Sequence, residues 1–281
     1  MILIADSGST KTDWCVVGNS GKVLSISTQG INPLVQSENE VERVLTAELM
    51  PLMTHISDIT DIRFYGAGCR DEMIIVLERL LRKVFPAAVN VCVDSDLLAA
   101  ARALCGKNEG IACILGTGAN SCLYDGEHIT ANTPALGYIL GDEGSGAVLG
   151  KLFVNALFKG RLSDNVRTAF EVETQLTMPV IINKVYRQPM PNRFLASLSL
   201  FIGRHIDEPD LHRLVVDNFR SFLVRNIRPY CRPDLPVNAI GSMAYHYREC
   251  LEEAARAEGM RIGTVMKSPM EGLVRYHTTT V

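Results

Sequence analysis

Apolar runs separated by polar breaks predict a chain of alternating strands and helices. The opening run MILIA ends at a polar turn, Ser7–Asp13, and a second apolar run covers Trp14–Val17. A third strand is predicted over Lys22–Thr28. Helical and strand-like spacing then alternate, which gives the order βββαβαβα over the first 105 residues. The predicted helices cover 37–53, beginning at the capping-box signature of Ser37 and Glu40, and 71–84 and 97–105, with strands at 63–65 and 89–93.

The arrangement of the first three strands recurs from Gly110 onward. A strand over Gly110–Leu115 is followed by a turn rich in Gly and Thr, a second strand at 121–124, an Asp-Gly hairpin signal and a third strand at 128–130. Because the order of parts is the same as at the start of the chain, we predict an internal duplication. Further along, residues 147–232 are predicted to be largely helical, followed by a strand at 237–240, a helix at 247–258, a strand at 260–266 and a helix at 269–277.

Composition narrows the class of protein. With 281 residues the chain is long enough for two domains, and a hydrophobic content of 47% supports well-formed cores. A net charge of −3 gives no electrostatic footprint for nucleic acid or an anionic membrane. The chain shows neither a signal-peptide pattern nor an apolar run of about 18 residues. We therefore expect a cytoplasmic protein that binds neither nucleic acid nor a membrane.

The eight cysteines favour a reducing compartment. None forms a C-x-x-C pair, and several lie in apolar, strand-like runs such as Val91–Val93 and Ala112–Ile114. This pattern is typical of buried, small hydrophobic residues, and it gives little support to a zinc site or a disulfide framework.

The turn after the first strand has two interpretations. A hairpin explains it simply, but the turn is longer than a hairpin needs, and it offers hydroxyls, one ammonium group and backbone N–H groups that could bind an anion. It lacks the spacing of a Walker A loop. The second turn, at 116–120, also closes a hairpin at the end of a strand. Two turns in matched settings favour phosphate binding by both.

Carboxylates accompany these turns. Asp94 and Asp96 lie between a strand and an Ala-rich helix, and helix capping would explain only one of them. Phosphoryl transfer needs a carboxylate to deprotonate the attacking hydroxyl and a metal to neutralise charge, and Asp6 is placed to hold Mg²⁺ through water. Asp142 and Glu143 precede a helix of small residues, where capping is again an alternative. The glycines around them suggest a close approach of backbone.

The segments DSGSTKT, ILGTGANS and ALGYILGDEGSG, with the shorter GAG and VNAIGSM, resemble the sugar-kinase/actin/Hsp70 superfamily. Within it, the chain resembles the N-acetylglucosamine kinase-like branch of the BadF/BadG/BcrA/BcrD ATPase group over nearly its whole length, most weakly between about 155 and 230. The resemblance implies an α/β fold of two ribonuclease-H-like (actin-like ATPase) domains that face a nucleotide cleft. The expected domains are 1–106, with 268–281 packing back on it, and 107–267, with a helical insert at about 147–232.

The resemblance also implies roles for individual residues. Asp96 corresponds to the catalytic base, although the departure Asp94-Ser-Asp96-Leu97 from the family pattern leaves Asp94 as an alternative. The implied ATP-binding residues are Gly8, Ser9, Thr10, Lys11 and Thr12 in the first loop, Gly116, Thr117 and Gly118 in the second, and Gly241 and Ser242 in the adenosine motif. The implied sugar contacts are Asn32, Ala119, Asn120, Leu136, Gly137 and Asp142.

Three functions are compatible with these motifs. The leading hypothesis is an ATP- and Mg²⁺-dependent kinase that phosphorylates an amino sugar, N-acetylglucosamine, at its 6-hydroxyl. The second is an ATPase that activates a partner enzyme, as dehydratase activators do, but those proteins hold an iron–sulfur cluster on closely placed cysteines. The third is a nucleotide-binding sensor without a sugar substrate. The sequence leaves open which hexosamine is used and whether N-acetylmuramate is accepted. A homodimer is common in the resembling family.

Overall fold

The chain folds into two compact units, each built around one sheet. The computed structural model describes residues 1–8, 10–18, 21–54 and 56–279. The first unit is Met1–Lys107 together with the C-terminal segment that begins at Pro269, and the second unit is Asn108–Ser268. Each unit combines a five-stranded sheet with helices, which confirms the expected α/β class. Within the described ranges, no helix is both long and apolar enough to cross a membrane.

The sheet of the first unit has the strand order β3-β2-β1-β4-β5. Strands β1, β2 and β3 pair antiparallel, whereas β4 and β5 continue the sheet parallel to β1. The strands are β1 (Ile2–Ser7), β2 (Lys11–Gly18), β3 (Gly21–Gln29), β4 (Asp61–Gly66) and β5 (Asn90–Ser95), and the helices among them are α1 (Glu38–Arg43), α2 (Glu72–Val84) and α3 (Asp96–Cys105). The predicted order βββαβαβα is therefore confirmed.

The sheet of the second unit has the order β10-β9-β6-β7-β8. Its strands are β6 (Gly110–Leu115), β7 (Ala119–Tyr124), β8 (Ile129–Ala131), β9 (Val237–Ile240) and β10 (Ile262–Met266). Between β8 and β9 lie α4 (Gly137–Leu140), α5 (Gly146–Phe158), α6 (Asp164–Thr174), α7 (Met178–Tyr186), α8 (Pro191–Ser197), α9 (Ser199–Arg204) and α10 (Pro209–Phe222), and β9 is followed by α11 (Ser242–His246) and α12 (Arg248–Ala257). The helical character predicted for 147–232 is confirmed.

The two sheets are the same sheet built twice. In each unit three antiparallel strands are extended by two parallel ones, and numbering the strands of the second unit from β6 gives the order 3-2-1-4-5 in both. This is the ribonuclease-H-like arrangement, so the predicted duplication is confirmed.

The last helix, α13 (Met270–Thr278), completes the first unit although it follows the second unit in the chain. Its Leu273 is fully buried in a cluster with Ile4 of β1, Tyr65 of β4 and Ala103 of α3. A Cβ at Gly272 would lie 2.5 Å from the carbonyl oxygen of Ala103, so glycine allows α13 and α3 to approach closely.

Burial on both faces explains the apolar character of β1. Leu3 and Ala5 pack into a core with α1 and α2, while Ile4 packs on the opposite face with α3 and α13. A strand covered on both faces has a continuous apolar run rather than an alternating one. The apolar run ends at Asp6, close to the carboxyl end of β1.

One helix differs from its prediction. The segment predicted as a helix over 37–53 is α-helical only in α1, with the expected capping box at Ser37 and Glu40, and continues as a π-helix, Val44–Leu49, and a 3₁₀ turn, Met50–Leu52. Pro51 has no N–H to donate to the preceding turn, so the α-helical hydrogen-bond pattern cannot continue through it.

Candidate active site

Acidic side chains of the first unit gather at the carboxyl ends of its parallel strands. Asp6 of β1 is paired in register with Tyr65 of β4, which is paired with Asp94 of β5. On its other side, Asp6 lies opposite Asp13 of β2. Helix α3 begins at Asp96, directly after β5. In open α/β sheets this edge is where ligands bind.

Asp6 and Asp96 form a carboxylate pair with unusual electrostatics. Burial is the main cause that raises the pKa of Asp6 to about 7, and the charges of Asp96 and Asp13 raise it further, while Lys11 opposes them. Burial also raises the pKa of Asp96, although backbone N–H groups at the start of α3 partly stabilise its charged form. Among the described residues, neither carboxylate forms an ion pair. The pair could therefore bind a cation or accept a proton.

Asp94 occupies a different environment, which separates the two candidate bases. Its Oδ2 lies 3.1 Å from Arg102 Nη1, and the same nitrogen donates to the Tyr65 hydroxyl at 2.8 Å. The expectation that one of the aspartates caps the helix is wrong, because the N-cap is Ser95, whose Oγ accepts from the backbone N–H of Leu98 at 3.2 Å. Ser95 has the extended backbone that a cap requires.

The first turn joins β1 to β2 as a hairpin. The N–H of Gly8 donates to the carbonyl of Lys11 at 3.0 Å, and Gly8, Thr10 and Lys11 are exposed. The ammonium of Lys11 lies 2.7 Å from the Asp13 carboxylate. Ser9, which was expected to bind ATP, lies outside the described residues. The exposed groups of the turn are thus available to a ligand, and their phosphate role stays a prediction.

Buried hydroxyls hold the base of this turn. Thr12 is buried, and its Oγ1 lies 2.6 Å from Ser7 Oγ and donates to the Gln29 carbonyl at 3.2 Å. Ser7 Oγ also accepts from the Ile31 N–H at 3.0 Å. These bonds connect the first turn to the end of β3 and to Ile31. Asn32 follows Ile31 in the chain, and its Oδ1 accepts from the N–H of Leu34 at 3.1 Å. The hydroxyl of Thr12 is engaged within the protein.

The second turn, Gly116–Gly118, closes the hairpin of β6 and β7. The N–H of Gly116 donates to the Gly118 carbonyl at 3.0 Å. The carbonyls of Gly116 and Thr117 accept from the N–H groups of Gly146 and Ala147 at 2.8 and 3.1 Å. The start of α5 therefore fixes this turn through its backbone, and the side chain of Thr117 is exposed.

The expected sugar contacts of the second unit lie beside this turn. The Asp142 carboxylate accepts from the N–H groups of Ala119 and Gly137, and burial raises the pKa of Asp142 to about 6. Asn120 Oδ1 accepts from Asn132 Nδ2 at 2.9 Å. Leu136 is 65% exposed, so an apolar side chain faces solvent next to these polar groups. The structure thus brings together Ala119, Asn120, Leu136, Gly137 and Asp142.

Two residues of the loop before α5 adopt strained backbone conformations. Leu136 has φ 63° and Asp142 has φ 54°, values that are uncommon for residues other than glycine. The alternative that Asp142 or Glu143 caps α5 is wrong, because Ser145 is the N-cap and accepts from the N–H of Val148 at 3.1 Å. Positive φ at a carboxylate that binds backbone groups is typical of functional sites.

The Gly241–Ser242 motif lies at the end of β9. Gly241 has φ 116°, and a Cβ there would approach the Leu115 carbonyl oxygen to 2.3 Å, so only glycine fits against the end of β6. Ser242 begins α11 and lines a surface cavity of about 580 Å³. The cavity is bordered by α9 and by the start of α12; its lining includes Ser199, Leu200, Gly203, Arg204, Tyr245 and His246.

Sequence reasoning missed several of these residues. The α9 side of the cavity lies in the region where the family resemblance is weakest, and α9 reaches Ser242 only through tertiary packing. Its placement is fixed by a hydrogen bond from the Tyr247 hydroxyl to the Ser199 carbonyl. Arg102 was missed as the partner of Asp94, because Asp94 lies at the end of β5 and Arg102 lies eight residues later on α3.

Known structures place this fold in a class. A ROK-family glucokinase from Streptomyces griseus, solved with glucose and AMPPNP, superposes with a TM-score of 0.58 at 12% identity and covers 98% of this chain and 97% of its own. At that identity the likeness concerns the fold alone. Together with the two duplicated sheets, it shows the actin-like ATPase fold. No family model matches the chain.

Closer relatives narrow the class to a family. A structure from Porphyromonas gingivalis, solved under the provisional name N-acetylglucosamine kinase, is 51% identical, with a TM-score of 0.96 over 99% of this chain and 98% of its own. A curated N-acetylmuramic acid/N-acetylglucosamine kinase from Clostridium acetobutylicum is 27% identical over 221 residues, which is 73% of this chain and 71% of that protein. The chain belongs to the N-acetylglucosamine kinase-like family.

Proposed function

We propose that this protein transfers the γ-phosphoryl group of ATP to the 6-hydroxyl of an amino sugar, with N-acetylglucosamine as the preferred acceptor. The observation that carries the proposal is the half-buried pair Asp6 and Asp96, which forms no ion pair among the described residues and lies at the carboxyl ends of the parallel strands. The names of the two relatives support the choice of sugar.

In this proposal Asp96 is the general base. Its raised pKa makes the carboxylate a better proton acceptor than an exposed aspartate. As the sugar oxygen forms its bond to the γ-phosphorus, the bond from that phosphorus to the bridging oxygen breaks, ADP leaves, and Asp96 takes the hydroxyl proton. Asp94 is not assigned this role, because Arg102 already pairs with its carboxylate.

Asp6 is the residue we assign to Mg²⁺. No group of three or more His, Cys, Asp or Glu side chains among the described residues could hold a metal ion. Mg²⁺ fits nevertheless, because it is usually held by one or two carboxylates with the substrate phosphates and water completing its shell. Burial is the main cause of the raised pKa of Asp6, and a divalent cation would offset the added repulsion from Asp96 and Asp13. When bound, it would neutralise charge on the phosphates.

Nucleotide binding is assigned to backbone and small side chains. In the first unit the exposed residues Gly8, Thr10 and Lys11 offer donors to phosphate oxygens. In the second unit the turn Gly116–Gly118 has the same place in its hairpin, and the cavity beside Ser242 is large enough for a nucleoside.

Sugar recognition is assigned to amides and one carboxylate. Asn32 in the first unit, and Asn120 and Asp142 in the second, present side chains that can bond sugar hydroxyls or an acetamido group. Both Asn120 and Asp142 are partly buried and held by neighbouring backbone or amide groups, so their orientation is set before a ligand arrives.

The test is coupled ADP release with MgATP against a panel of acceptors: N-acetylglucosamine, glucosamine, N-acetylmuramate, N-acetylmannosamine, glucose and no sugar. We expect release that depends on the sugar and is fastest with N-acetylglucosamine. N-acetylmuramate is included because the curated relative is named for both sugars.

Release at one rate with and without every sugar would contradict the kinase proposal and indicate an ATPase that serves a partner protein. Tight ATP binding with no release at all would indicate a nucleotide sensor. Phosphorus NMR of the product distinguishes a 6-phosphate from a 1-phosphate.

A further inference from the structure

Asn218 is a buried polar residue that the proposed catalytic groups do not include. It lies on α10, within the helical insert, and its side chain is 1% exposed. Its Oδ1 accepts from the N–H of Gly144 at 3.1 Å, and its Nδ2 donates to the carbonyl of Ser145 at 3.2 Å. One amide group thus binds two consecutive backbone positions of the loop that carries Asp142.

Other residues on the same side of this helical segment brace the same loop. Phe222, one turn after Asn218, would lie 2.8 Å from a Cβ at Gly144, so the loop backbone is pressed against the helix. Further along, Asn226 donates to the Glu143 carboxylate at 3.3 Å, and Arg225 lies 3.2 Å from it. The segment passes from α10 into the π-helix Leu223–Ile227, and the contacts themselves show that all of these groups face the same loop.

The braced loop reaches the proposed ligand sites at both of its ends. Upstream, Asp142 accepts from the N–H of Ala119, at the start of β7. Downstream, the N–H groups of Gly146 and Ala147 bind the carbonyls of Gly116 and Thr117. A shift of the loop would therefore move a proposed sugar ligand and a proposed phosphate-binding turn together.

We infer that Asn218 is a positioning residue for both ligands: its amide fixes Gly144 and Ser145, and thereby sets the positions of Asp142 and of the turn Gly116–Gly118. The identity of the two ligands in this inference rests on the proposed function. The effect of Asn218 on the loop does not depend on that function. Because small displacements of reacting groups cost about 10²-fold in rate, loss of the amide should reduce turnover well beyond its effect on stability.

The chain supplies a matched control at Asn238. This residue is 7% exposed and lies in the same unit. Its Nδ2 donates to the Ile111 carbonyl at 3.2 Å, and its Oδ1 accepts from the N–H of Thr264 at 2.8 Å. Its Nδ2 also contacts the Pro236 carbonyl at 3.4 Å. Asn218→Asp and Asn238→Asp therefore make the same chemical change at buried amides that each bind backbone N–H and C=O groups, and only the first touches the braced loop.

The first measurement is steady-state kinetics at pH 8 under conditions where both variants are folded. For Asn218→Asp we expect kcat/KM for the sugar to fall about 30-fold or more, with KM for both the sugar and ATP raised. For Asn238→Asp we expect kcat/KM within about 3-fold of the unmodified protein, at a similar loss of thermal stability.

A pH profile distinguishes positioning from general destabilisation. The carboxyl introduced by Asn218→Asp repels the Ser145 carbonyl when charged but can donate to it when protonated. The ratio of variant to unmodified activity should therefore rise as the pH falls from 8 to 5.5, and Asn218→Leu should show no such rise. Asp142, Glu143 and Arg225 face the same region, but they are present in both proteins and largely cancel in the ratio.

Two outcomes would overturn the inference: Asn218→Asp with kcat/KM near that of the unmodified protein, or equal losses in the two Asn variants with a flat pH ratio. Failure of the proposed function has a separate signature, which is absence of sugar-dependent ADP release from the unmodified protein. In that case amide hydrogen exchange still tests whether Asn218 holds the loop. Asn218→Asp should speed exchange at Gly144–Ala147, whereas Asn238→Asp should not.

Discussion

The two units share one architecture but place different chemistry at the same edge. In the first hairpin Asp6 of β1 lies opposite Asp13, and in the second hairpin the corresponding positions are Ile114 and Asn120. The first unit therefore has an acidic edge, and the second has an edge of glycines, amides and backbone groups with one carboxylate, Asp142. The sheet supplies the positions, and the residues at the strand ends supply the function.

The likeness extends to the helix that precedes the fourth strand of each sheet. After α1 the chain passes through a π-helix and then the 3₁₀ turn Met50–Leu52, and after α10 it passes through the π-helix Leu223–Ile227 and the 3₁₀ turn Arg228–Tyr230. A proline is the second residue of each 3₁₀ turn. The same irregular helix end in both units indicates that the duplication preserved backbone detail.

We propose that this difference assigns metal binding and proton transfer to the first unit. An acidic pair suits a metal ion and proton transfer, whereas neutral groups suit the recognition of phosphates, a sugar and a nucleoside.

The largest effect is expected for Asp96→Asn. Removal of the proposed base should lower kcat by about 10³-fold and leave the Kd for the nucleotide nearly unchanged, because base catalysis contributes rate rather than nucleotide binding. Sugar-dependent ADP release and isothermal calorimetry measure the two quantities.

Asp94→Asn is the matched control for this prediction. It should cost some stability but keep at least about a tenth of kcat, because the Arg102 pair gives Asp94 a structural role. The reverse order of effects would assign the role of base to Asp94 and contradict the proposed role of Asp96.

The fold was largely predictable from the sequence. Apolar periodicity located the strands and helices, and the repeated strand–turn–strand order predicted the duplication that the sheets confirm. Capping rules failed where more than one polar residue near the start of a helix could serve as its N-cap. Ser95 and Ser145, rather than the acidic residues near them, cap their helices, because the cap is decided by backbone conformation that the sequence does not display.

Only those residues of the candidate site that lie within a sequence motif could be predicted. The two turns and Asp96 stand at strand ends, which the sequence pattern locates. Arg102, Asn218 and the α9 side of the cavity are joined to those motifs by tertiary packing, across 8 residues for Asp94 and Arg102 and 74 residues for Gly144 and Asn218. No local pattern marks a partner at such a distance.

Gly241→Ala tests whether the second unit depends on backbone fit. The added Cβ would approach the Leu115 carbonyl oxygen to 2.3 Å at φ 116°, so the end of β9 must move. We expect a loss of about 2–4 kcal/mol in the free energy of unfolding and a nucleotide Kd raised at least about 10-fold. Urea titration and calorimetry measure these changes.

Gly259→Ala is the control, because Gly259 also has positive φ, 71°, but a Cβ there meets nothing within 4 Å. Its cost should be limited to backbone strain, about 1 kcal/mol, with an unchanged nucleotide Kd. Equal effects of the two substitutions would mean that conformation alone, and not the approach to β6, explains Gly241.

A smaller effect is expected for Arg102→Met, which removes the partner of Asp94. Arg102 is 19% and Asp94 is 34% exposed at the side chain, so solvent screens part of their attraction. We expect a loss of about 1–2 kcal/mol in unfolding free energy and a modest decrease in kcat. The double variant Asp94→Asn/Arg102→Met should be less destabilised than the sum of the single variants. Strict additivity would show that the two side chains are not coupled.

The smallest effect concerns α13, the helix by which a late segment of the chain completes the first unit. His277 Nε2 lies 2.7 Å from the Tyr65 hydroxyl, whose oxygen accepts from Arg102, so the hydroxyl hydrogen is available to an unprotonated imidazole. Burial, with the charges of Arg63, Arg102 and Lys107, lowers the pKa of His277 to about 4. The neutral form is therefore the one that the folded protein accommodates.

The sign of the pH dependence follows from this lowered pKa. Above about pH 6.5 the imidazole is neutral in both states, and between about pH 6.5 and 4 only the unfolded chain takes up the proton. Because His277 is only partly buried, solvent screening reduces the effect, and stability should fall by about 1 kcal/mol over this window as the pH decreases, relative to His277→Gln, which cannot titrate. Urea titrations of both proteins at several pH values measure the difference. A difference that stays constant from pH 7 to pH 4 would mean that His277 titrates alike in both states and that its contact with Tyr65 does not depend on the neutral form.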